Sequence, residues 1–207
     1  KHWAQCLTLH SFHIFRRFQP QEFFRQPFPA WQVKPDSLKK LLVPNISANT
    51  EFFKFVSRNY AKWVNPKSPD APIMSHNLLQ YKVLPHVETG IPTFFILIDN
   101  LRYDQWKTIQ PIFSECFRIL EEETFYSILP TATQYSRNAI FSGLMPIEIE
   151  KQFPIQWKND EEEGGKNLFE EHFFRAQLKR LKKDDLKISY TKVLHHHDGQ
   201  HLVNNIH

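Results

Sequence analysis

The sequence predicts an α/β fold, a partial sheet of buried strands with interleaved helices, preceded by a small helical connector. Three observations predict it. Residues 93–98 (TFFILI) form an unbroken apolar run of strand length that ends on Asp99, the pattern of a strand buried on both faces. Apolar residues at helical spacing follow it, with Trp106, Ile109 and Phe113 on one face of a helix over 103–116. A second run, 124–129, stops at Pro130, after which helix and strand alternate again.

The elements follow in order. Residues 1–48 show no clear period: six Phe (12, 15, 18, 23, 24, 28) and several Pro crowd the stretch, with little aliphatic content from His10 to Gln32. It reads as irregular, and an out-of-frame stretch is one source of such a composition. Peptides from it in the native protein, found by mass spectrometry, would sink that idea. The connector spans 49–90. In it Asn49 or Thr50 caps a helix carrying Phe52, Phe53, Val56, Tyr60 and Trp63 and stopped by Pro66. Ser75 caps a second helix with Leu78, Leu79 and Val83 on one face, ending before Pro85. From 91 to 207 come the strand at 93–98, the helix at 103–116 and the strand at 124–129. A turn at Thr131-Ala132-Thr133 leads into a short helix to Ser142, closed by Gly143. An acidic loop over 159–165, a helix over 167–182 and a strand over 187–194 complete the pattern.

Composition narrows the function classes. Among 207 residues Gly is scarce (5), Pro is frequent (14) and 41% are hydrophobic, so the chain is neither linker nor low-complexity disorder. A formal charge of +4 permits an anionic ligand without demanding one. Two cysteines, Cys6 and Cys116, cannot build a disulfide framework and fit a reducing, cytoplasmic setting. The longest apolar run, 91–98, is far shorter than the ~20 residues that span a bilayer. Both ends read as cuts through a longer chain. No recognition-helix signature supports DNA binding, and the basic run 179–183 suits a helix C-terminus.

Ligands of open α/β sheets gather at the carboxyl ends of strands. Asp99 ends the first strand there, and Thr133 follows the second at the start of a helix, where free N–H groups and the dipole attract phosphate. A threonine hydroxyl needs a base or a metal to become a nucleophile, and a carboxylate is a natural ligand for that metal. The pattern also fits plain capping: an Asp after a strand caps the next helix, and a Thr at a helix start is an N-cap. His195, His196, His197 and His201 form a cluster that suits metal ligation or a solvated, cleft-lining loop.

Two stretches carry a resemblance. Residues 130–137 (PTATQYSR), continuing through 141–146 (FSGLMP), resemble the nucleophile loop of the alkaline phosphatase superfamily, whose nucleotide phosphodiesterases have P-T-x-T, a helix and then [ST]-G-L-x-P. Residues 96–102 (ILIDNLR) resemble its first metal-binding strand. More closely, residues 49–207 resemble the PglZ-domain response regulators of the PorX type, found in bacteria with a type IX secretion system. Residues 94–104, 129–146 and 190–205 carry the likeness. The first 48 residues do not match the helical connector and receiver domain that the resemblance implies.

The resemblance implies an alkaline-phosphatase-like α/β fold and a zinc-dependent phosphodiesterase acting on cyclic or linear oligonucleotides. Asp99 matches the metal-ligating aspartate, Thr133 the nucleophile that is also a metal ligand, and Arg137 a residue one helical turn on that approaches the phosphate. Two zinc ions are implied, with the remaining ligands expected beyond residue 207, so this chain alone would be incomplete and inactive. A sensor kinase, a sigma factor or secretion-motor protein, and phosphorylation-dependent homodimerisation are the implied partners. The rival class is a signalling module with a structural metal, which would need no activatable hydroxyl at Thr133.

Overall fold

The computed structural model describes residues 4–9, 12–17, 35–65, 68–87, 92–158, 166–195 and 198–199, with side chains from residue 47 onward, Lys166 excepted. The expected loop at 159–165 and His196, His197 and His201 lie outside these residues. The element order is a hairpin of β1 (Ala4–Leu9) and β2 (Phe12–Arg17), a long helix α1 (Pro35–Trp63), and a run of tight turns from Ser75 to His86. The helices α2 (Tyr103–Cys116), α3 (Thr133–Ser142), α4 (Pro146–Gln152) and α5 (Glu170–Arg180) follow.

The α/β expectation is corrected at this point. Among the described residues the sheet is the antiparallel β1–β2 hairpin, with Ala4 opposite Arg17 and Leu9 opposite Phe12. Residues 93–98, 124–129 and 187–194 carry no ladder, except for one parallel bridge between Met74 and Tyr126. So no alkaline-phosphatase-like partial sheet forms there. The reason is visible in 93–98. Phe95 and Leu97 pack against the clusters that hold Ile140, Phe141 and Phe173, while Phe94 (66% exposed) and Ile96 (50%) face outward. A parallel strand is stable when helices cover both faces. Here α3 and α5 cover one face only.

Further boundaries shift. The helix expected to start at Asn49 begins at Pro35, and the stretch read as irregular also contains the hairpin. Ser75 caps no helix through its side chain, and Met74 is the N-cap of a 3-10 turn, Ser75–Asn77. A π turn, Leu79–Val83, and a 3-10 turn, Leu84–His86, then carry the chain through Pro85 rather than ending before it. Pro suits this last turn because it lies in its first positions, where an N–H has no intrahelical partner. The helix read over 167–182 is a 3-10 turn, Lys166–Phe169, leading into α5.

What positions the site is the packing around α3. Its inner face, Ala139, Ile140 and Phe141, is buried and meets three groups of side chains. Ile140 packs with Leu78, Leu79 and Phe125, Phe141 with Leu144, Ile149 and Phe173, and Ala139 with Met74 and Ile128. Burying a side chain of this size contributes about 1.5–3 kcal/mol, so α3 is the best-anchored helix among the described residues. Polar bonds fix its register. The hydroxyls of Ser75, Ser127 and Ser136 lie 3.1–3.4 Å apart in the interior, and the Ile128 N–H donates to Ser75 Oγ at 3.2 Å. The Leu129 N–H donates to the Tyr60 hydroxyl at 2.7 Å, which ties α1 to the loop before Thr133.

The far end of α3 is locked by Gly143, whose φ of +66° makes the left-handed C-cap that glycine adopts without a Cβ penalty. Gln177 on α5, fully buried, donates its amide to the carbonyls of Ile140 (3.1 Å) and Phe141 (2.9 Å). Arg180 donates to the Ser142 carbonyl. These are the carbonyls that a helix C-terminus leaves without intrahelical partners.

Candidate functional site

Thr133 is the first residue of α3, as its sequence position implies. The helix carries no side-chain cap at Ala132, and the Ala132 carbonyl accepts from Tyr135 and Ser136 N–H at 3.0 Å each. The Thr133 hydroxyl therefore does not act as an N-cap and turns instead to Asp99, donating to Oδ1 at 3.4 Å. That answers one of the two bland readings of the sequence.

Asp99 ends the 93–98 run in a turn with Asn100, whose φ of +58° is in the left-handed region that asparagine tolerates better than most residues. The turn separates Asp99 from α2. Arg102 holds the start of that helix, donating its backbone N–H to Gln105 Oε1 (2.9 Å) and, through Nε and Nη2, to both oxygens of Asp104 at 2.9 Å each. This bidentate bond, above all, lowers the Asp104 carboxyl below its ordinary value. Asp99 thus makes no cap on α2, and its carboxylate, 41% exposed, faces Thr133.

Arg137 sits four residues after Thr133, on the same face of α3. Its Nη1 lies 3.3 Å from Asp99 Oδ2, and its Nη2 donates to Glu170 Oε2 at 2.7 Å. The structure thus brings together all three residues singled out from the sequence. It adds three that sequence reasoning missed. Glu170, the first residue of α5, has no exposed side-chain surface. Its Oε2 also accepts from the Tyr190 hydroxyl at 2.8 Å, and Lys192 Nζ stands 3.5 Å away. Burial first, and the Glu170 charge second, push the Tyr190 hydroxyl well above its ordinary value, so it stays a donor. No sequence signal separates Glu170 from the half-exposed Glu171 beside it, since both read as acids favoured at a helix start.

The remaining candidates lie elsewhere. His195 is exposed, and its backbone N–H donates to Asp198 Oδ2 at 2.8 Å. Among the described residues no group of three or more His, Cys, Asp or Glu side chains could hold a metal ion. Asp99 and Thr133 nonetheless fit part of a zinc shell. Zinc–oxygen bonds of about 2.0–2.2 Å at tetrahedral angles place neighbouring ligand oxygens about 3.4 Å apart, the separation found here. They are hard oxygen donors on the exposed side of the site. They make one edge of a shell, not a complete one.

A carboxylate, a hydroxyl at a helix N-terminus and a guanidinium meeting within hydrogen-bond reach can hold a phosphoryl group and offer it a nucleophile. The model of the BREX-system PglZ alkaline phosphatase-like domain matches residues 78–206. The matched region takes in the tight turns from Leu79 as well as Asp99, Thr133, Arg137 and Glu170. No curated protein matches the chain.

Proposed function

The chain belongs to the PglZ alkaline phosphatase-like domain family, and from that premise we propose that it carries the nucleophile side of a phosphodiesterase site. Alkaline phosphatase-like domains are hydrolases, and the observation that carries the finer reading is the Thr133–Asp99–Arg137 cluster. In the proposed reaction the Thr133 Oγ–P bond forms as the ester P–O bond breaks. The hydroxyl proton leaves, by way of solvent, with the departing alcohol. A water oxygen then forms its bond to phosphorus as the Thr133 Oγ–P bond breaks, and a proton of that water returns, by way of solvent, to Oγ. Arg137 offers Nη1 to the phosphoryl oxygens that carry the developing charge. The α3 N-terminus, with no side-chain cap, adds backbone N–H groups and the positive end of its dipole. Asp99 and Thr133 would ligate zinc, which when bound supplies Lewis acidity toward the hydroxyl. Further ligands, for a second zinc as well, would come from outside the described residues.

The sequence likeness extends the proposal to substrate and context. The substrate would be a short oligonucleotide, and the domain the output of a PorX-type response regulator controlling type IX secretion. Its partners would be a sensor kinase and a sigma factor or secretion-motor protein, with homodimerisation set by phosphorylation. The proposed division is an atypical segment at 1–48, a connector at 49–90 and the start of the PglZ domain from 91 to 207. Among the described residues no helix is long and apolar enough to cross a membrane.

The test is hydrolysis of a short linear oligonucleotide by the zinc-loaded, natural full-length protein, wild type against Thr133→Val. Loss of activity in the variant is the expected result. Equal activity would remove Thr133 as the nucleophile. Inactivity of both with zinc bound would favour the rival, a partner-binding module with a structural metal.

A further inference from the structure

We infer that Glu170, with Tyr190, is a positioning residue that aims the Arg137 guanidinium at the Asp99–Thr133 cluster. Its catalytic consequence rests on the function proposed above. Its geometry does not.

Burying a carboxylate is costly unless the charge is paired and hydrogen-bonded, and a buried pair is weak evidence of stability for its own sake. Glu170 nevertheless has no exposed side-chain surface and gathers partners from separate parts of the chain. Arg137 comes from α3, while Tyr190 and Lys192 come from the 187–194 segment. The positive N-terminus of α5 adds a further favourable term. All three side chains converge on one oxygen, Oε2, while Oε1 is buried without a partner.

The asymmetry has a directional result. A two-pronged pairing would turn Nε and one Nη of Arg137 toward Glu170. Instead Nε is buried without a partner and Nη2 alone takes the 2.7 Å bond. That grip leaves Nη1 pointing at Asp99 Oδ2, 3.3 Å away and much weaker. The strong bond sets where the guanidinium lies, and the weak one leaves Nη1 available to a ligand oxygen. Tyr190 and Lys192 fix Glu170 in turn, Lys192 being held by a 2.9 Å bond to the Asn167 carbonyl.

The first experiment uses the full chain with ¹³C,¹⁵N-labelled arginine and needs no activity. Rotation of the Arg137 guanidinium about Nε–Cζ is slow in the wild type and speeds at least tenfold in Glu170→Ala. Glu170→Asp restores part of the restraint. Tyr190→Phe, which removes one hydroxyl and serves even if Glu170→Ala does not fold, speeds rotation a few-fold. Unchanged rotation in folded Glu170→Ala, or in Tyr190→Phe, would overturn the inference. The second experiment measures phosphodiester hydrolysis by the zinc-loaded full-length protein. Glu170→Gln lowers kcat/KM about tenfold in the wild-type background and has no effect on top of Arg137→Ala, because Glu170 acts through Arg137. Independent, additive losses would point to a general structural role and overturn it. A wild type that hydrolyses nothing while its Arg137 rotation behaves as described would keep the positioning role and refute the hydrolase reading.

Discussion

Replacing Gly143 by alanine should destabilise the domain by about 2–5 kcal/mol, and the structure separates that figure into two parts. The first is conformational. At φ +66° an L-residue's Cβ crowds the carbonyl oxygen, which costs roughly 1–2 kcal/mol. The second is steric. A Cβ at this position would lie 2.8 Å from Gln177 Cδ and 3.0 Å from its Cγ, so the Gln177 side chain must move. Moving it forfeits bonds to the Ile140 and Phe141 carbonyls, each worth about 0.5–1.5 kcal/mol net. Urea unfolding at constant m-value reads the sum, and a thermal scan should fall by roughly 5–15 °C. Adding Gln177→Ala separates the parts. The double variant should be less destabilised than the sum of the singles, because the clash disappears while the left-handed strain stays. A loss below about 0.5 kcal/mol in Gly143→Ala, or strict additivity in the double variant, would refute this account.

Other perturbations give equally definite outcomes. Phe173→Ala empties a fully buried position and should cost about 3–5 kcal/mol by urea unfolding. Tyr60→Phe orphans the Leu129 N–H and should cost about 1–3 kcal/mol, with no change in the far-ultraviolet circular dichroism of the helices. Burial lowers the His76 imidazole below its ordinary value, against a smaller opposing pull from Glu148. The folded state therefore binds fewer protons than the unfolded one. Stability present above about pH 6.5 is lost as pH falls through the lowered value. His76→Gln should flatten the pH dependence of Tm below neutrality, and a slope equal to that of the wild type would contradict it.

The sequence made the neighbourhood of the candidate residues more legible than the architecture. Asp99 and Thr133 sit beside punctuation, the end of an apolar run and a Pro-Thr turn, whereas Arg137 came from the family resemblance; the structure brings the three together. The α3 boundaries were readable for the same reason, since Gly143 marks the stop and the structure agrees. Strands were misread because TFFILI specifies burial and extension but not hydrogen-bond partners. A run can alternate Phe95 and Leu97 inward with Phe94 and Ile96 outward and still pair with nothing in a ladder. The start of α1 was missed because Pro44 and the Phe-rich text before it masked the helical period. Glu170 was invisible because its role comes from contact with Tyr190, twenty residues away, and Arg137, thirty-three away. Propensity sees neither.

The locked end of α3 also acts as a lever. Ten residues of helix separate the Gly143 pivot from Thr133, which at 1.5 Å per residue is an arm of about 15 Å. A tilt of about 4° at the pivot swings the hydroxyl by about 1 Å, enough in a reacting geometry to change a rate roughly a hundredfold. Under the proposed function, substitutions at Gln177 or Arg180 would therefore register in turnover as well as in folding.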